Sequence, residues 1–301
     1  MPRTVRLLLA AGVMLWVLAA CADPDRPGAD RSGSTATPSE PASSSDPPPA
    51  PSATTGDPAP TPWPEPFADG TTRQWHVRVV DTVPHDPDAF TEGLEVADGV
   101  VLESTGGRGL STVRRVDPTT GDVLASAVLP PDRFGEGLTV VDDRVVQLTW
   151  TSGRAMWWQL DSLAPAGEAT YEGEGWGLCF DGRELWMSNG SATLTRRDPE
   201  SFAALGTVEV VDDNGPVSAL NELECIGDVV VANVWKSDRI VVISPTDGRV
   251  VAAIDASALR ATVSPTDPEA VLNGIADRGD GTLLLAGKWW PTAFVVELAV
   301  E

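Results

Sequence analysis

Lysine is almost missing from this chain of 301 residues, with two against 19 arginines. Histidine also occurs only twice, at His76 and His85, and cysteine three times. Neither histidine sits in a cluster with metal-ligand spacing, which argues against a zinc site of the His/Cys type and leaves both as structural or surface groups. Long apolar runs are lacking too: residues 7–20 fall short of the roughly 20 residues that a membrane-crossing helix needs. No long amphipathic helix pattern appears, and residues 255–260 support one or two turns at most. The net charge of −23 is spread along the chain without blocks. That distribution speaks against nucleic acid and anionic membrane surfaces, and favours cationic substrates such as a peptide amino terminus.

The beginning of the chain is not expected to join the fold. Arg3 and Arg6 precede the apolar run, as in a secretory signal. The run ends in Leu18-Ala19-Ala20-Cys21, which resembles a bacterial lipobox with Cys21 as the lipidated first residue of the mature protein. A plain signal peptide that happens to contain a cysteine is the alternative. Residues 1–21 are thus read as a lipoprotein signal, placing the protein at the outer face of the bacterial membrane through a lipid anchor only. Residues 22–74 are rich in Pro, Ser and Thr, too poor in apolar surface to offset their ordering entropy, and are expected to form a disordered tether. Trp63 is an unexplained exception within it. Residues 75–301 remain as one domain.

What that domain does contain is a repeat. Five short stretches, Phe90-Thr91-Glu92-Gly93-Leu94, Phe134-Gly135-Glu136-Gly137-Leu138, Glu174-Gly175-Trp176-Gly177-Leu178, Leu220-Asn221-Glu222-Leu223 and Leu272-Asn273-Gly274-Ile275, each precede a turn and a β-rich run. Their anchors at 94, 138, 178, 223 and 275 lie 44, 40, 45 and 52 residues apart. A strand-rich period of this length is the signature of a β-propeller blade. Pairs such as Asp98-Gly99 and Gly227-Asp228 supply hairpin chemistry between the strands. The reading is all-β, a five-bladed β-propeller. The last unit is one strand short, and the unpartnered segment at 75–80 is expected to complete it and close the ring.

A propeller brings equivalent positions of every blade to one mouth. Residues there are Phe90, Glu92, Phe134, Glu136, Trp150, Trp176, Asn221, Glu224, Trp235, Asn273, Lys288 and Trp289. Aromatic residues make up 6% of the chain, yet they crowd these slots. One of the two lysines is there as well, which hints at a need for a compact ammonium. Trp157, Trp158 and Trp186 fall outside the slots and are assigned to packing, while Lys236 is expected to face solvent.

These motifs, with Leu148-Thr149-Trp150, Ala232-Asn233-Val234-Trp235 and Gly287-Lys288-Trp289-Trp290-Pro291, resemble the plant and bacterial glutaminyl-peptide cyclotransferases (glutamine cyclotransferases). The resemblance runs over residues 75–298. It implies a five-bladed propeller that cyclises N-terminal Gln of peptides or proteins to pyroglutamate with loss of ammonia, without a catalytic metal, although a structural divalent ion in the channel remains open. Glu136 is implied as the catalytic carboxyl. Phe90, Glu92, Phe134, Trp150, Trp176, Asn221, Trp235 and Lys288 are implied as the substrate-binding set. The chain departs from the family at Glu92, where Gln is usual.

The chemistry asks for such a set by itself. The attacking amine must lose a proton and the leaving amide nitrogen must gain one, and a single carboxyl between them can serve both. A donor such as Lys288 or Asn221 suits the developing oxyanion. Two other functions compete: a metal-dependent lactonase-like hydrolase using oxygen ligands from Glu92, Glu136, Asn221 and Asn273, and a peptide-binding lipoprotein without turnover. The protein is expected to work as a monomer. Export permits a Cys179–Cys225 disulfide, but their one-residue offset relative to the anchors suggests opposite faces of a strand.

Overall fold

The computed structural model describes residues 72–300. The lipobox at Cys21, Trp63 and most of the Pro-rich segment lie outside the described residues. The chain starts with a long strand, β1 (Arg73–Pro84), and continues in antiparallel sets of four. The first set is β2 (Thr91–Ala97), β3 (Val100–Thr105), β4 (Thr112–Val116) and β5 (Val123–Val128). The second is β6 (Gly135–Val141), β7 (Arg144–Thr149), β8 (Arg154–Gln159) and β9 (Pro165–Thr170). The third is β10 (Leu178–Phe180), β11 (Leu185–Met187), β12 (Thr193–Arg197) and β13 (Ala204–Glu209). A small hairpin, β14 (Val211–Asp212) and β15 (Gly215–Pro216), leads to β16 (Leu220–Ile226), β17 (Val229–Val234), β18 (Arg239–Ile243) and β19 (Val250–Asp255). The two-turn helix α1 (Ser257–Val263) then precedes β20 (Leu272–Asp277), β21 (Leu283–Gly287) and β22 (Thr292–Val300). The fold is all-β apart from that helix.

β1 pairs antiparallel with β22, with Trp75 opposite Val300 and Thr82 opposite Phe294. It also touches β19 in parallel register, which joins the last two sets into one eight-stranded sheet. The first strands of the sets, β2, β6, β10, β16 and β20, contact one another in that cyclic order, and β20 returns to β2. Five hydrophobic clusters fill the interfaces. Leu102, Leu138 and Trp158 belong to the one between the first and second sets, and Leu148, Leu178 and Phe202 to the next. Val83, Leu94, Val101, Leu284 and Val295 close the interface between the last set and the first. Trp157, Trp158 and Trp186 are all buried in these clusters.

Local chemistry explains the hairpins and the repeat. Asp98 and Gly99 both have positive φ, 49° and 73°, the requirement of a type I′ turn, so the Asp-Gly pair fits the β2–β3 reversal. The glycines at 93, 137 and 177, in the first three anchor motifs, have a different cause. A Cβ on Gly137 would lie 2.7 Å from Gly177 Cα, and one on Gly177 would lie 2.0 Å from the Asn221 carbonyl oxygen. The strands that begin the first four sets therefore approach one another as bare backbone at these glycines, where any side chain would push them apart.

Four of the five motifs carry β-bulges. Pairing skips between Thr91 and Gly93, Gly135 and Leu138, Leu220 and Leu223, and Leu272 and Ile275. A bulge takes a residue off the ladder and re-aims its side chain. The residues released are Glu92, Glu136 with Gly137, Asn221 with Glu222, and Asn273 with Gly274.

Cys179 of β10 and Cys225 of β16 form a disulfide with Cα atoms 5.3 Å apart. This corrects the expectation that their offset separates them. Opposite faces would keep them apart within one sheet, but they belong to neighbouring sets packed face to face. One face of a set meets the other face of the next, so an odd offset is what brings two side chains together.

Candidate active site

One cleft of about 380 Å³ is lined by Phe90, Glu92, Phe134, Glu136, Trp150, Trp176, Asn221, Trp235, Glu269 and Lys288. Nine of the twelve residues placed at the mouth from the sequence converge there, and Glu224, Asn273 and Trp289 do not line it. Equivalent backbone bonds place the contributions from the ends of second strands: Trp150 N–H donates to Phe134 O, Trp235 N–H to Ala219 O and Lys288 N–H to Val271 O. The bulges supply Glu92, Glu136 and Asn221.

The aromatic lining falls into two groups of touching rings. Phe90 meets Phe134 edge-on at 6.0 Å, Phe134 meets Trp150 at 5.7 Å, and Trp176 meets Trp235 at 5.5 Å. Such edge-to-face contacts fix ring orientation. Trp150 and Trp176 are linked by Glu174, whose Oε2 accepts both indole N–H groups. Trp289 packs on Phe90 at 4.6 Å, just outside the lining.

Glu136 is buried and makes no hydrogen bond among the described residues. Burial, and then the negative charges of Glu92 and Glu174, hold its carboxyl well above the ordinary carboxylate range, against the pull of Lys288. Lys288 and Glu92 form a buried ion pair, Nζ lying 2.9 Å from Oε1 and 2.8 Å from Oε2. The same ammonium sits 4.4 Å from the centre of the Phe90 ring. Asn273 Nδ2 donates to Glu92 Oε2 at 3.1 Å and to Thr91 O. Burial pushes the Glu92 carboxyl up, while Lys288 and Asn273 pull it back toward the ionised form. Asn221 Oδ1 is buried without a hydrogen-bond partner among the described residues, so this amide brings a spare acceptor to the wall.

Several sequence assignments need adjusting. Glu224 does not line the cleft; its Oε1 accepts the Asp277 N–H, and it lies among Glu95 and Glu222. Asn273 is one layer behind, bonded to Glu92. Lys236 is exposed as expected, and its ammonium also lies over the Trp235 ring at 4.5 Å and pairs with Glu269 at 2.7 Å. Glu269 escaped the repeat because it precedes its anchor by six residues, in the loop after α1. The lysine beside a cleft tryptophan was the available signal for it.

Among the described residues no group of three His, Cys, Asp or Glu side chains is placed to hold a metal ion. Of the four residues in the oxygen ring of the lactonase-like alternative, Glu92 is engaged otherwise, by an ammonium and an amide N–H.

A family model described as glutamine cyclotransferase matches residues 55–298. A glutaminyl-peptide cyclotransferase of Arabidopsis thaliana is 39% identical over 227 residues, which is 74% of this chain and 71% of that protein. The crystal structure of Myxococcus xanthus glutaminyl cyclase aligns with a TM-score of 0.73 at 39% identity, covering 76% of this chain and 99% of that one. On the matched family model and this shared identity, the chain belongs to the glutamine cyclotransferase family.

Proposed function

We propose that the cleft cyclises the N-terminal glutamine of peptides or proteins to pyroglutamate with release of ammonia, and that Glu136 is its proton shuttle. The observation that carries this reading is a buried carboxyl with no hydrogen-bond partner among the described residues, set inside an aromatic box, where burial raises its pKa well above the ordinary carboxylate value. A substrate α-amine titrates near 7.7–8.0, so a raised carboxyl pKa brings donor and acceptor close together.

In the proposed reaction the neutral α-amine attacks the side-chain amide carbon and a C–N bond forms. The amine proton passes to Glu136 and a proton from Glu136 goes to the amide nitrogen. The old C–N bond then breaks and ammonia leaves. Lys288 donates to the oxyanion, while Asn221 Oδ1 accepts a substrate N–H, because its free atom is an oxygen. Phe90, Phe134, Trp150, Trp176 and Trp235 exclude water and hold the short chain bent for ring closure. Glu92 supports Lys288, and no cofactor takes part.

We also propose that the five sets are the blades of a five-bladed propeller closed by β1 as the outer strand of the last blade, in a monomer. Domain limits at 1–21, 22–74 and 75–301 belong to the same reading, with Cys21 lipidated and the enzyme displayed at the outer face of the membrane. Loss of fatty-acid labelling in Cys21→Ser checks the anchor. The function is tested by ammonia release from a Gln-initiated dipeptide. The expected result is turnover by the wild type and a fall of about 10²–10⁴-fold in Glu136→Gln. No release by the wild type means the reading is wrong, and peptide binding without turnover favours the non-catalytic alternative.

A further inference from the structure

We propose that Glu92 is a positioning residue: by holding the Lys288 ammonium with both carboxylate oxygens, it compensates the cation that faces Glu136 and leaves Glu136 as the proton carrier of the cleft. This inference rests on the cyclotransferase reading of the same site. Its basis is the ion pair itself. Glu92 and Lys288 side chains are 2% and 6% exposed, with both oxygens 2.8–2.9 Å from Nζ. Neither charge can be left alone at that depth, because an unpaired buried ion costs several kcal/mol. The pair is held from behind by Asn273, and the ammonium is held from the side by the Phe90 ring. Two of the three ammonium N–H groups are used on Glu92, so one remains for substrate.

The groups facing Glu136 come from every side of the cleft. Glu92 arrives from β2, Glu174 from the loop before β10, Lys288 from the turn after β21 and Tyr171 from the end of β9. Glu269 opens onto the same cleft from the loop before β20. Lys288 is the cation among them, and Glu92 cancels it at contact distance. Without the Glu92 charge, Lys288 would act on Glu136 uncompensated and draw it toward the carboxylate. Glu136 would then be a weaker base for the amine proton that it takes up and passes to the leaving nitrogen.

The test is Glu92→Gln, which keeps the volume and an acceptor for Lys288 but removes the charge. Two quantities are followed: the Glu136 carboxyl by ¹³C NMR titration of the substrate-free protein, and the pH dependence of kcat for ammonia release. The expected result is a downward move of the Glu136 midpoint, and of the matching limb of the profile, by about one pH unit or more. A midpoint that stays in place in folded Glu92→Gln overturns the proposal. The double variant Glu92→Gln/Lys288→Met removes both charges, and neutral replacement of a buried pair is often tolerated. Its midpoint is expected within about half a unit of the wild type; a full-unit fall there also overturns the proposal, even if the single variant does not fold. The titration is independent of turnover, so failure of the cyclotransferase reading registers separately, as absence of ammonia from the wild type.

Discussion

The Glu174 carboxylate accepts the indole N–H of Trp176 at 2.9 Å, and the same oxygen accepts that of Trp150 at 2.8 Å. One exposed side chain thus ties together two rings that come from different strand sets. Glu174→Ala releases both indoles while leaving the buried wall intact. The expected outcome is a rise of about 3- to 30-fold in KM for a Gln-initiated peptide, the equivalent of one or two weakened hydrogen bonds. The thermal midpoint should change little, because the carboxylate is at the surface. Steady-state kinetics and a melting curve check both halves; a fall in kcat at unchanged KM would contradict the positioning role.

The Cys179–Cys225 bridge closes a loop with a sequence separation of 46. On chain-entropy grounds such a crosslink contributes about 4 kcal/mol. Cys179→Ala/Cys225→Ala is expected to lower the denaturation midpoint markedly, with dipeptide turnover retained under native conditions. Urea titrations of the wild type with and without reductant should reproduce the difference.

His85 Nε2 donates to Glu103 Oε1 at 2.9 Å, where the first strand set meets the last. Burial opposes protonation of this imidazole, but the hydrogen bond and charge of Glu103 overcome it, so its pKa is raised above 6.5. Glu103 is lowered below 4.5 despite its burial, chiefly by the same contact. The His85 contribution is complete below pH 6.5 and is lost as pH rises through the folded value. The Glu103 contribution is complete above pH 4.5 and is lost as pH falls through its folded value. His85→Gln should therefore cost most near pH 5.5, about 1–3 kcal/mol, and much less at pH 9. Urea midpoints at the two pH values provide the check.

Glu224, Glu222 and Glu95 form a second buried acidic group. Burial raises all three, Glu95 to about 7. A carboxyl with a raised folded pKa contributes stability below its unfolded pKa and loses it as pH rises through the folded one. The fold is expected to weaken from mildly acidic to alkaline pH, and Glu224→Gln to recover part of that loss. The gain in urea midpoint should be larger at pH 8 than at pH 5; an equal gain at both would show that Glu224 does not titrate in this range.

Much of the site was legible because the repeat itself marks it. Glu136, Trp176 and Asn221 stand where the period places equivalent residues, and their difference in kind from one unit to the next pointed to chemistry rather than packing. Glu269 was not legible, since it comes from a connecting loop that the period does not index. Glu224 was placed wrongly because a bulge resets strand alternation, and the pairing skip between Leu220 and Leu223 cannot be read from residue types.

The sequence by itself determined the strand-rich units, their turns and the crowding of tryptophan and carboxylate near each anchor, because hairpin chemistry and periodicity are local. Only the tertiary structure decided which groups meet. Cys179 joins Cys225 because neighbouring sheets present opposite faces to each other. Lys288 closes on Glu92, 196 residues away, because the last strand set packs beside the first. Burial then converts that proximity into chemistry, since charges removed from water act strongly on whatever lies next to them.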